Sequence, residues 1–116
     1  MKQILLFGAI LFSVAAIGQN PLKDTKWVGN DGLMVDFSKD TITATVNDQI
    51  VAIVVYEVKG ELITIADVGG DQACPSDLKG IYTFKIASST LTFALKEDAC
   101  DGRAQTVNGM VLTKRE

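Results

Sequence analysis

The residues able to do chemistry gather in one stretch. Between Asp67 and Arg103 lie both cysteines, Cys74 and Cys100, and a group of acids: Asp67, Asp71, Asp77, Glu97, Asp98 and Asp101. The chain has no histidine, which removes Ser-His-Asp and Cys-His nucleophilic catalysis and histidine-based zinc sites. The cysteines lack C-x-x-C spacing, and no helix N-terminus is predicted beside them to lower a thiol pKa. Two cysteines allow one intramolecular pair, so a structural Cys74–Cys100 disulfide is expected over a redox-active dithiol. Loop carboxylates and carbonyls can hold Ca²⁺, which makes Asp67, Asp71, Asp77, Asp98 and Asp101 candidate ligands. No EF-hand spacing is present, and the simpler expectation is no metal: solvated loop charge, with Asp98 in a structural salt bridge to Arg103. No two acids are marked as a buried catalytic pair, and no Gly-rich phosphate loop joins a strand to a helix. The chain therefore reads as a non-enzyme with no cofactor.

The elements that must position these residues are strands. Ile81–Ile86 and Leu91–Leu95 alternate with period two around Ala87-Ser88-Ser89-Thr90, the signature of a hairpin. A shared inner face sets Ile86 opposite Leu91, Phe84 opposite Phe93 and Tyr82 opposite Leu95. That register places Cys74 opposite Arg103 and Cys100 opposite Asp77, so the disulfide requires the flanking loops to leave the ladder and curl together. Its Cα atoms must then lie within about 7 Å. Upstream, Lys26–Val28, Leu33–Phe37 and Thr41–Val46 read as short strands separated by turn formers. Gln49–Val58 is a long β-branched run with apolar residues on both faces, one of which needs cover. Glu61–Asp67 follows across Lys59-Gly60. At the C-terminus, Ala104–Val107 and Met110–Lys114 are expected to form a last hairpin over Asn108-Gly109 in a type I′ turn. Eight or so strands with tight turns and no helical periodicity predict an all-β, up-and-down antiparallel barrel. A small two-sheet β-sandwich is the rival architecture.

Residues 1–18 read as a separate unit: a positive Met1-Lys2-Gln3, an apolar run from Ile4 to Ile17, and small residues at Ala16 and Gly18. This is the pattern of a signal peptide cleaved after Gly18, and the run is short for a membrane span. Export to the periplasm or the outside permits the disulfide, with no stable membrane anchor after cleavage. Removing 18 of 116 residues leaves 98, enough for one domain, 19–116. The formal net charge of −3 becomes −4 without Lys2. That balance lacks the basic footprint of a nucleic-acid binder and any polybasic segment for anionic lipid.

Trp27 at the head of the first strand resembles the opening of a lipocalin, in which a Gly-x-Trp tryptophan closes the barrel floor under a late arginine. Here the triplet is Thr25-Lys26-Trp27, without the glycine, and the resemblance leaves Arg103 and Arg115 open as the covering arginine. Gly80-Ile81-Tyr82-Thr83-Phe84 through Asp98-Ala99-Cys100-Asp101-Gly102-Arg103 is similar to a pattern in small exported bacterial lipocalin-like proteins, where a cysteine precedes a Gly-x-Tyr strand and an Asp-x-Cys-x-x-Arg segment follows the next. The likeness implies a calycin-type barrel. Trp27, Val35, Phe37, Ile42, Tyr82, Phe84, Leu91, Phe93 and Leu95 are then its inner face, either walling an apolar ligand or filling the core. The short chain favours the filled core. Two functions follow: a small-molecule binder holding an apolar ligand in a shallow barrel mouth, or a protein-interaction or inhibitor module of the cell envelope. The second would use the rim or the outer face of the Gln49–Val58 strand at Val51, Ile53 and Val55.

Overall fold

Period-two alternation runs through the chain, and in a computed structural model it produces one continuous sheet. The structure describes residues 20–71 and 73–115, so the expected leader, residues 1–18, lies outside the described residues. The strands are β1 (Thr25–Val28), β2 (Leu33–Phe37), β3 (Thr41–Val46), β4 (Gln49–Lys59), β5 (Leu62–Gly69), β6 (Lys79–Ala87), β7 (Thr90–Asp98) and β8 (Val111–Lys114), with a helix α1 (Asp101–Val107) before β8. Each strand pairs with the next, and β8 returns to β1, closing an up-and-down antiparallel barrel rather than a two-sheet sandwich. Closure removes the free sheet edges that an all-β chain must otherwise protect.

The hairpin register is Ile86↔Leu91, Phe84↔Phe93 and Tyr82↔Leu95. Inward alternation brings Trp27, Phe37, Ile63, Tyr82, Leu91 and Leu112 to essentially complete burial, with Val35, Ile42, Phe84 and Phe93 also in the core. Phe37 and Tyr56 meet edge to face, ring centroids 5.4 Å apart. An eight-stranded barrel has an interior about the size that side chains can fill, and here the buried side chains form one core cluster.

The two ends close differently. At one end the lead-in before β1 folds back, burying Leu22 completely. Asn20 Oδ1 accepts the Leu22 amide at 3.0 Å, and Asn20 Nδ2 donates to the Tyr56 hydroxyl at 3.0 Å. That hydroxyl donates to the Ser38 carbonyl. The opposite end, where β5 runs out to β6 and β7 runs out to β8, carries α1 and the disulfide.

Three expectations are corrected. Residues 101–107 form a helix, so Ala104–Val107 is not a strand. Ala104 donates its amide to Cys100 O at 2.9 Å, and Asn108 donates to Ala104 O at 3.0 Å. A type I′ turn needs positive φ at both central residues, but Asn108 has φ −64° and ψ 120° while Gly109 has φ 80°. These values, with the Met110 amide on Val107 O at 3.0 Å, describe a type II turn with glycine at its third position. Second, Leu95 lies on the inner face but is 41% exposed. β8 pairs with β7 only from Thr90 to Thr92, so the wall has no neighbouring strand beside Leu95. Third, neither candidate arginine covers Trp27. The cation over its ring is Lys114 Nζ, 6.0 Å from the centroid. Arg103 is engaged at the disulfide end, and Arg115 lies beside Met34 on the exterior.

Candidate functional site

The chemistry-bearing residues meet at the disulfide end, and the strands explain how. Along β5, plain alternation from Ile63 and Ile65 turns Asp67 inward. Along β7, alternation from Phe93 and Leu95 would turn Glu97 inward. Instead Lys96 is extra in the ladder, since Tyr82 pairs with Leu95 but Ile81 pairs with Glu97 and Gly80 with Asp98. A one-residue offset exchanges the faces of a strand, so Asp98 points inward and Glu97 outward. Gly80 makes the room: a Cβ there would lie 2.8 Å from Asp98 Cγ.

α1 supplies the cation. Arg103 is buried, its side chain 6% exposed, against Asp67 at 4% and Asp98 at 0%. Its Nε and Nη2 each donate to Asp98, to Oδ2 and Oδ1 respectively, both at 2.8 Å. This is the two-pronged fit a planar guanidinium makes with a carboxylate. Nη1 donates to Asp67 Oδ1 at 3.1 Å, and Nη2 also donates to the Leu78 carbonyl at 2.8 Å. The Tyr82 hydroxyl donates to Asp98 Oδ2. Each carboxylate also accepts the backbone amide of a cysteine: Cys74 to Asp67 at 2.6 Å, Cys100 to Asp98 at 2.9 Å. The two cysteines form the disulfide, their Cα atoms 6.3 Å apart.

Burial works against the Asp98 charge, but hydrogen bonds from Arg103, Tyr82 and the Cys100 amide outweigh it and hold the carboxyl below its ordinary range. Burial first, then donation to Asp98 and that carboxylate's charge, push the Tyr82 phenol well above its ordinary value. The hydrogen bond to Asp98 raises the Arg103 pKa against the cost of its burial. The arrangement is two carboxylates around one fixed cation, every carboxylate oxygen accepting a hydrogen bond and all three side chains closed to solvent. It can hold structure.

The proposed calcium ligands are separated by this packing. Asp67 and Asp98 face Arg103, which takes the place a cation would occupy, while Asp71, Asp77 and Asp101 are exposed. Among the described residues, no three His, Cys, Asp or Glu side chains converge as a metal site.

Two surface features remain. At the lead-in end, β6 and β7 project past the β4–β5 turn and bound a cleft of about 760 Å³. Its lining includes Pro21, Phe84, Ile86 and Phe93, with Glu61 and Lys85 at its polar side. On the outer face around β4 and β5, Ile50, Val55 and Val68 are 47%, 42% and 55% exposed, with Val51 and Ile53 half-buried. The rim cleft escaped sequence reasoning because it depends on how far one hairpin outreaches its neighbour. Comparison of the chain with known protein families, with curated proteins and with solved structures found no match.

Proposed function

We propose that this chain is an exported, non-catalytic binding protein of lipocalin-like type that takes a small apolar ligand at its rim rather than inside its barrel. The observation that carries the reading is the cleft beside the β6–β7 hairpin. Its volume of about 760 Å³ lies within the range of about 300–1,000 Å³ common to small-molecule sites. Phe84, Ile86 and Phe93 supply apolar lining and Lys85 a cation beside it, a set suited to a ligand with an apolar body and an anionic or polar end. The buried core cluster supports the rim over a deep cup. Ile86 is 38% exposed, so Ile86→Asp can be made without emptying the core. Titration with a fluorescent naphthalene sulfonate should show saturable binding to the wild type and about tenfold weaker binding to Ile86→Asp, the change expected from losing roughly 1.4 kcal/mol of contact. Equal affinity for both proteins would overturn the reading.

The exposed apolar residues Ile50, Val55 and Val68 support a second reading, an envelope protein-interaction module. Native mass spectrometry of protein purified from its exporting host separates the two. A bound small molecule supports the rim site, and a stoichiometric protein partner lost in Val55→Glu supports the outer face.

A further inference from the structure

We propose that the Cys74–Cys100 disulfide is a redox latch: its reduction by an external dithiol frees α1 and the Ala73–Leu78 loop and opens the disulfide end, while the rest of the barrel stays folded. The wall is incomplete where α1 sits. β8 meets β7 only at Thr90–Thr92. Beyond that point β7 is met by the α1–β8 connection, with the Gly109 amide on Phe93 O and the Leu95 amide on Asn108 Oδ1, both at 2.9 Å. α1 therefore closes a gap that no strand fills.

The C-terminal end of α1 is tied to β7 by these bonds, and Val107 packs against the core; its N-terminal end depends on its first turn. Seven residues are too few for a helix to persist alone in water. Cys100 makes no side-chain cap, and no basic residue lies in the last turn. Its polar anchorage is Arg103, and the carboxylates that receive Arg103 are held by the amides of the two cysteines. The covalent bond thus joins the loop bearing one amide to the turn bearing the other. Once it is cut, loop and helix can part, and Asp67 and Asp98 lose both their amide donors and their cation together. Both cysteines are half-buried rather than sealed in the core. Behind them lies Tyr82, fully buried in the closed state and bonded to Asp98.

The exchange balances with a dithiol as reductant. Its thiolate attacks one Sγ, the Cys74–Cys100 bond breaks, and a mixed disulfide forms. The second thiol resolves it, leaving the dithiol oxidised and two electrons and two protons on the Cys74 and Cys100 thiols.

Hydrogen exchange read by mass spectrometry, on the exported protein before and after dithiothreitol, tests the latch. Amides of residues 73–78 and 99–110 should exchange at least about tenfold faster after reduction, while β2–β5 amides change by less than about twofold, the signature of a local opening. The double variant Cys74→Ser/Cys100→Ser should show the reduced pattern without any reductant. Unchanged exchange in α1 would overturn the proposal. So would equal loss of protection across β2–β5, or a double variant that does not fold, because the disulfide would then be a clasp on the whole domain.

Discussion

At the scale of single residues, Arg103 decides the state of the disulfide end. Its guanidinium is the only cation bonded to either Asp67 or Asp98 among the described residues. Removing one partner of a buried ion pair leaves an uncompensated charge, which costs about 3–5 kcal/mol. Arg103→Met keeps much of the side-chain volume and strands both carboxylates, so its unfolding free energy from urea titration should fall by that amount. A loss below about 1 kcal/mol, the worth of an exposed pair, would show that the carboxylates reach water. Gly80 acts by being small. Gly80→Ala would press a methyl against the Asp98 carboxylate, and overpacking of this kind typically costs about 1–3 kcal/mol. Gly80, Tyr82, Asp98, Cys100 and Arg103, the residues on which the family resemblance rests, thereby acquire one physical meaning. The glycine admits the carboxylate, the tyrosine and cysteine amide donate to it, and the arginine neutralises it.

At the scale of elements, the strands were legible and the irregularities were not. Thr41–Val46 and the β6–β7 register follow from alternation, because a strand with one buried face must place every second residue inside. α1 was missed because seven residues carry too little periodicity, and the Asn108-Gly109 pair suits more than one turn type. Asp98 and Arg103 are five positions apart, close enough to pair from the sequence alone. Asp67 joins them from 36 residues away, a distance closed only by the barrel. The bulge at Lys96, which sends Asp98 inward, leaves no mark in the residue types. Its role predicts two opposite outcomes. Deleting Lys96 leaves Glu97 facing out and Asp98 facing in along a regular ladder, so stability should change by less than about 1.5 kcal/mol, as for a tolerated repacking. Inserting one alanine between Glu97 and Asp98 turns Asp98 outward and should lose about 3–5 kcal/mol, like the loss of Arg103's partner. Thermal or urea unfolding of the two proteins side by side reads the contrast. Equal effects would mean that the facing of Asp98 is not what the bulge determines.

At the scale of the molecule, one barrel is closed by two kinds of chemistry. The lead-in end uses Leu22 and neutral hydrogen bonds through Asn20 and Tyr56, whereas the disulfide end uses ionised groups, and this difference sets the pH range of stability. Asp98 has a lowered pKa in the folded protein. Its contribution is therefore complete above the unfolded value of about 4 and is lost as pH falls toward the folded one. Tyr82 has a raised pKa, so the folded protein holds the phenolic proton more tightly than the unfolded chain. Its contribution is complete below the unfolded value of about 10 and is lost as pH rises above it, by at most about 1.4 kcal/mol per pH unit. Tyr56 is also raised, first by burial and then by Asp24 and Asp40, so wild-type alkaline destabilisation has two sources. Tyr82→Phe separates them. At pH 7 the variant lacks the donor to Asp98 and should be about 1–3 kcal/mol less stable than wild type. Between pH 10 and 11.5 that gap should shrink steadily, because only the wild type has the Tyr82 proton left to lose, while Tyr56 acts equally in both. Paired urea titrations across this range measure the gap directly. A gap that stays constant from pH 7 to 11.5 would show that the Tyr82 hydroxyl is not tied to the Asp98 charge.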